Sequence, residues 1–290
     1  MRPGRPTLLL GAGYLARFVV AALAPAAAIT CVRRTPPAAV TDARAAWLAA
    51  DVTASADVAA LAAQLAADPR SAGGGGDVVF MLPPSALGNA APADALAPLL
   101  AMLVARDTRR AVLVSSSGIY DADDDTVVSA ASVVAPRSSR AMRLAAIEST
   151  WTTSGLDVSV LRLAGIYGPG RVIGRASVRA GTPLPGAADA WLNLIHVTDA
   201  ARAIVAALDR PAPLPVALIA DGNPVRRGDY YGGLAALLGA PPPRFDGASA
   251  TRGGSKRCDP TASWQALDCV PAWPHWRRAL AVLVADADAG

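Results

Sequence analysis

The chain has 290 residues, enough for one large domain or two small ones, and its 27 basic and 23 acidic side chains leave a net charge of only +4. Alanine supplies much of the 53% hydrophobic fraction, aromatics are only 5%, and the arginines are scattered, which excludes a dedicated nucleic-acid surface. Cys31, Cys258, Cys269, His196 and His275 show no metal-ligand spacing, so the expectation is a cytoplasmic protein with reduced thiols and no metal.

The first predicted unit is Thr7–Arg34: strand, glycine turn, helix, strand. Arg2 and Arg5 ahead of an apolar stretch, with Ala26-Ala27-Ala28 behind it, imitate a signal peptide. Gly11, Gly13 and Arg17 interrupt that stretch, and nothing reaches the roughly 20 apolar residues of a membrane-spanning helix. No membrane partner is expected. Gly11 permits a tight turn, Gly13 lets a pyrophosphate approach the backbone, and small Ala16 allows close helix packing. The helix that follows offers free N–H groups to phosphate. About 20 positions past the glycines, where an acid would hold a ribose 2′-OH, stand Arg33 and Arg34. Guanidinium forks suit a 2′-phosphate, so we read NADP(H) in preference to NAD(H).

Further along, Ala45–Ala50 reads as a strand leading to Asp51-Val52, and Val58–Ala67 as a helix. Gly73-Gly74-Gly75-Gly76 is a surface turn rather than a phosphate cradle, because it precedes a strand. Asp77–Leu82 is an apolar run fit for a buried parallel strand, ending at Pro83-Pro84. A helix over Ala91–Arg106, a strand over Ala111–Ser115, a helix over Arg140–Thr153 and a strand over Val158–Leu163 follow. Ile166–Arg171 reads as loop, and Asp199–Leu208 as a helix capped by Thr198 or Asp199. The texture changes at Pro211: Val216–Ala220 is a strand, Gly228–Leu238 a helix, and Trp264, Trp273 and Trp276 are available to pack a small lobe.

This alternation predicts an α/β fold, a Rossmann-type doubly wound parallel sheet with a small C-terminal substrate-binding lobe. Residues 1–165 form the NAD(P)-binding domain, with 192–210 returning to it, and 166–290 are mostly the lobe. Ligands bind such sheets beyond the carboxyl ends of the strands. That rule gathers Gly11–Tyr14, Arg33–Arg34, Asp51–Val52, Leu82–Pro84 and Ser115–Tyr120.

Several stretches together resemble the extended short-chain dehydrogenase/reductase superfamily, in its NAD-dependent epimerase/dehydratase branch. They are Gly11-Ala12-Gly13-Tyr14-Leu15, Val114–Tyr120, Leu161–Arg171 (LRLAGIYGPGR), Asn193–Asp199 and Gly254–Arg257. The start GAGYL and the late Ser255-Lys256-Arg257 are most similar to a small atypical YeeZ-like group. The resemblance implies that Gly11, Gly13, Tyr14 and Leu15 line the pyrophosphate and Arg33 and Arg34 the ribose phosphate. It places Asp51 and Val52 at the adenine, Leu82 and Pro83 along the ribose, and Ser115 at the same cofactor edge. Ser116 takes the place of the family's catalytic serine or threonine and would hydrogen-bond the substrate oxygen. A homodimer through two sheet-flanking helices is implied as well.

The departure from the family is sharp. Its chemistry uses a tyrosine phenol, with a lysine four residues on that lowers the phenol pKa. Here Ser139 stands at the tyrosine position and Arg143 at the lysine position; Arg143 can hold a ribose hydroxyl but cannot replace the phenol. Tyr120, Tyr167 and His196 are the candidate substitutes, each with an ordinary packing role as the competing reading. Lys256 and Arg257 either touch substrate and close the cleft or form an exposed pair. Asp121–Asp125 reads as a solvated loop, not a metal site. Two functions stay open: an NADP-dependent oxidoreductase or epimerase/dehydratase acting on a small polar, sugar-like molecule, and a non-catalytic NADP(H)-binding sensor or scaffold. A flavoprotein fits the later motifs less well.

Overall fold

The computed structural model describes residues 5–38, 42–70, 75–247 and 254–288. Its strands in chain order are β1 (Thr7–Leu10), β2 (Ile29–Arg33), β3 (Ala45–Ala49), β4 (Asp77–Phe80), β5 (Arg110–Ser116), β6 (Val127–Val128), β7 (Val158–Leu163), β8 (Gly165–Tyr167), β9 (Trp191–Leu192), β10 (Leu194–His196), β11 (Val216–Ile219), β12 (Val225–Arg226) and β13 (Arg257–Cys258). The helices are α1 (Ala16–Ala22), α2 (Ser55–Ala67), α3 (Pro92–Ala105), α4 (Ser139–Thr152), α5 (Arg175–Arg179), α6 (Val197–Asp209), α7 (Arg227–Leu237), α8 (Thr261–Ala266) and α9 (Trp276–Asp288).

Seven strands form one sheet in the order β11-β7-β5-β4-β1-β2-β3, with parallel register from β5 to β3. The chain runs outward in one direction through β2 and β3 and in the other through β4, β5, β7 and β11. The reversal falls between β1 and β4, the switch point where doubly wound sheets leave a crevice for ligands. β1 and β4 are buried along their whole length, which explains why they read as unbroken apolar runs and not as alternating ones.

The chain divides into two compact units. The first comprises Met1–Ser115, Met142–Leu161 and Ala201–Val216. Leu10, Phe80, Leu96, Leu99, Leu103 and Val160 pack its core with Trp151, whose ring centroid is 4.9 Å from that of Phe80. Truncating a core tryptophan to alanine commonly costs about 3–5 kcal/mol, so this contact is a large share of the unit's stability. Gly75 and Gly76 are held here, with the Asp107-side loop accepting through Arg106 O (3.1 Å) and Arg109 N–H donating to Gly76 O (2.9 Å). Gly73 and Gly74 lie outside the described residues.

The second unit comprises Ser116–Ala141, Arg162–Ala200 and Ala217–Gly290. Tyr167, Tyr230, Leu234, Leu280 and Trp276 build its core, with Trp273 packed against them. Trp264 is used elsewhere: its indole N–H donates to Ala220 O at 2.9 Å.

Two local expectations are corrected. The loop expected over Ile166–Arg171 starts later, because Gly165–Tyr167 pair as β8 with β10, and the turn is closed by reciprocal Gly168–Arg171 backbone bonds of 2.9 Å. Glycine and proline marked that turn but concealed the short strand before it. The expected caps of α6 serve other partners. The helix already includes Thr198 and Asp199; Thr198 Oγ1 lies 2.8 Å from His196 Nδ1, and Asp199 accepts the N–H groups of Ala272 (2.9 Å) and Trp273 (2.8 Å).

Candidate functional site

Each unit carries a concave polar surface. In the first, a groove of about 290 Å3 is lined by Gly11, Ala12, Gly13, Val32, Arg33, Arg34, Asp51, Val52, Leu82 and Pro83, among others. The bend after β1 is tight because Gly11 and Ala12 both donate to Val32 O at 3.0 Å, and Gly13 donates back to Gly11 O at 2.7 Å. Gly11 has φ +75°, and a Cβ there would overlap the Leu82 side chain. Only glycine fits. Gly13 is different: a Cβ would meet nothing nearer than Gly11 O at 3.8 Å, so the backbone there is bare toward open space. A bare backbone at the switch point is what close approach of a diphosphate requires, so these residues fit a dinucleotide.

The charges of the groove come from the strand ends. Arg33 closes β2 and Arg34 follows it, while Asp51 follows β3. The Asp51 carboxyl is held below the usual carboxylate range, chiefly by the Thr53 hydroxyl (2.7 Å), with Arg34 adding a weaker pull. Tyr14 and Leu15 do not line the groove. The Tyr14 ring packs on Phe18 at 5.4 Å under the Arg17 guanidinium, and Leu15 is buried. Ser115 turns its hydroxyl to the buried Glu148 carboxylate at 2.5 Å. Arg143 donates to Pro84 O and Ala90 O, both at 3.1 Å, and so ties α4 to the segment that follows β4.

In the second unit a cavity of about 160 Å3 is lined by Ser116, Ser117, Gly118, Arg140, Trp191, Asn193 and Lys256, with Ala164, Gly165, Leu192 and Gly254. Ser116 Oγ accepts from Gly118 N–H at 3.1 Å, which leaves the hydroxyl proton to donate. Lys256 is buried, whereas its neighbour Arg257 is exposed. Burial pushes the Lys256 ammonium below the ordinary lysine pKa, against weaker opposing pulls from Cys258, Asp121 and Asp123.

The Lys256 backbone is seated by a clamp. Asn193 Nδ2 donates to Lys256 O (2.8 Å), and Asn193 Oδ1 accepts from Cys258 N–H (2.7 Å). Ser255 Oγ donates to Asp125, which also pairs with Arg226 at 3.0 Å. Asp121 accepts from Arg137 N–H (2.8 Å) and Ser138 N–H (2.6 Å). The acidic run is therefore a tied structural loop at Asp121 and Asp125, not a merely solvated one.

Three further candidates are set into packing. Tyr120 donates to Ser129 O at 2.7 Å, beneath the Arg162 guanidinium. Tyr167 is fully buried, its hydroxyl has no hydrogen-bond partner among the described residues, and burial pushes the phenol far up, with Asp221 and Asp199 adding to the shift. His196 is buried edge-on to Tyr167 (5.3 Å) and near Trp273 (4.9 Å), and burial lowers its pKa against a weaker pull from Asp199. None of the three is among the residues lining the cavity. Sequence reasoning missed Arg140 and the Asn193 clamp, whose partners lie 63 and 65 residues away.

A doubly wound sheet with a glycine bend at its switch point defines a Rossmann-type nucleotide-binding protein. More narrowly, residues 7–217 match the model of the NAD dependent epimerase/dehydratase family, and the chain belongs to that family. Among curated proteins it is similar to protein YeeZ of Escherichia coli K12, 37% identical over 91 residues; the match spans 31% of this chain and 32% of YeeZ. A conserved protein of unknown function from Silicibacter pomeroyi has a similar structure: TM-score 0.77, 27% identity, covering 98% of this chain and 99% of that one. So does the Bordetella bronchiseptica enzyme WbmG in complex with NAD: TM-score 0.79, 17% identity, covering 99% and 94%. WbmG is also known in complex with NAD and UDP. Among the described residues, no helix is long and apolar enough to cross a membrane.

Proposed function

We propose that the protein is an NADP(H)-preferring member of its family, an epimerase/dehydratase or oxidoreductase acting on a small polar, sugar-like molecule. One observation carries the reading: the glycine bend and both arginines line the same groove at the switch point. Gly11 and Gly13 would admit the diphosphate, Arg33 and Arg34 the 2′-phosphate, and Asp51, Val52, Leu82 and Pro83 the adenosine. When bound, such a dinucleotide supplies hydride transfer. The chain's own part is to fix the substrate. Ser116, whose oxygen is already oriented by Gly118 N–H, donates its proton to a substrate oxygen and holds it in place. Isothermal titration tests the cofactor reading. NADPH binds about tenfold more tightly than NADH, since a hydrogen bond to a charged group contributes about 1.5–3 kcal/mol. Equal affinities overturn the preference, and absence of binding by either overturns the reading.

A second reading, a nucleotide-binding sensor or scaffold without turnover, is favoured by Arg143. The arginine at the family's lysine position is already held by two backbone carbonyls. Ser116→Ala separates the two. For an enzyme, turnover of a hexose or UDP-hexose panel falls at least tenfold while NADPH affinity stays within twofold. Wild-type protein that binds NADPH and turns over no member of that panel supports the sensor.

A further inference from the structure

The cavity beside Ser116 has an unusual charge balance. Two of its lining side chains are cations, Arg140 and Lys256, and none of its described lining residues is a carboxylate. The nearby acids are engaged with their own loop: Asp121 with Arg137 and Ser138, Asp125 with Ser255 and Arg226. Lys256 is also costly to place. A lysine is rarely buried, yet this one is only 3% exposed and is the sole lysine in the chain. Its position is not an accident of a loose loop, because Asn193 grips the backbone on both sides of it. Gly254 lets the segment lie against Ala122, whose carbonyl oxygen a Cβ would overlap. Taking an ammonium out of water weakens it, and a negative ligand group beside it restores the lost interaction.

We propose that this cavity takes a ligand bearing an oxyanion, a carboxylate or a phosphate on a single sugar-ring-sized body, and that Lys256 is the residue that selects it over a neutral sugar. The volume of about 160 Å3 suits one ring, not a whole nucleotide sugar. Lys256 meets the anion as a compact point charge, Arg140 adds its fork at the exposed rim, and the Ser116 hydroxyl donates to a ring oxygen. The inference rests on the reading that the Ser116 cavity receives substrate, and it names the substrate's chemical class.

The single lysine makes the test direct. Protein labelled with 13Cε-lysine gives one side-chain resonance, which is followed at constant ionic strength on titration with glucuronate, glucose 6-phosphate and glucose. The expected result is a saturable shift with at least one anionic probe, a rise in the Lys256 titration midpoint on binding, and no shift with glucose. Response to glucuronate alone assigns a carboxylate, and response to glucose 6-phosphate alone a phosphate. By calorimetry, Lys256→Met weakens the anionic probe tenfold or more, while Lys256→Arg keeps it within about threefold. Glucose shifting the resonance as much as the anions, silence to both anions, or unchanged affinity in Lys256→Met overturns the proposal. Should Lys256→Met not fold, the labelled wild-type titration decides alone. NADPH binding is measured on the same samples. Its loss sinks the functional reading; its retention with no anion response sinks only this inference.

Discussion

The groove of the first unit and the cavity of the second are built by different means. The groove is made of residues at the ends of β1, β2, β3 and β4, and each contributes a short run: Gly11–Gly13, Val32–Thr35, Ala50–Val52, Leu82–Pro83. Its defining feature is bare backbone. The cavity is made of side chains from the β5 end, α4, β9 and the 254–256 segment, held by hydrogen bonds between residues more than 60 positions apart. Nucleotide sites can therefore be read from local spacing, whereas a substrate site assembled by long-range clamps can vary in chemistry without disturbing the sheet.

If that contrast holds, the second unit tolerates buried charge in a pH-dependent way, and Asp221 gives the largest expected effect. Burial pushes its carboxyl up to about 7, Asp199 adding to the shift while Asn223 N–H (2.9 Å) opposes it; its second oxygen has no hydrogen-bond partner among the described residues. A carboxyl whose folded pKa is raised keeps its proton in the folded state after the unfolded chain has lost it. Stability therefore declines as pH rises from about 4 to about 7, by on the order of 4 kcal/mol. Asp221→Asn removes the titration. Its melting temperature relative to wild type rises between pH 5 and pH 8, and a pH-independent difference would falsify the assignment.

The next effect breaks the groove while sparing the fold. Gly13→Val projects a side chain into the space above the bend, where nothing in the protein obstructs it. NADPH affinity drops about a hundredfold or more, on the order of 3 kcal/mol, with the melting temperature within about 2 °C of wild type. Retained binding would show that the dinucleotide does not approach there. Smaller again is Asn193→Ala, which frees the buried Lys256 carbonyl and Cys258 N–H. The cost is about 2 kcal/mol in chemical denaturation, with NADPH binding unaffected. A loss of NADPH affinity in this variant would refute the independence of the two sites.

Much of the frame was legible before any coordinates. The runs Leu8–Leu10 and Val78–Phe80 are apolar at every position, which only a strand buried on both faces demands, and their alternation with helices specified the parallel sheet. Gly11 announced its turn because no other residue tolerates φ +75° beside Leu82. Tyr14 and Leu15, adjacent to that bend and equally visible in the motif, turn instead to Phe18 and the core. Adjacency in a motif does not fix the direction of a side chain.

Lys256 shows the boundary most clearly. The sequence by itself determined the order of strands and helices, the glycine bend and the pair of arginines at its far end, because backbone conformation and hydrophobic periodicity are local properties. It left Lys256 open between an exposed charge and a contact in the cleft. Tertiary structure alone decided that question, and with it the burial of Tyr167 and His196 and the use of Arg143 as a tie. Burial and hydrogen-bond partnership depend on residues brought together from distant parts of the chain, and no short window of sequence contains both partners.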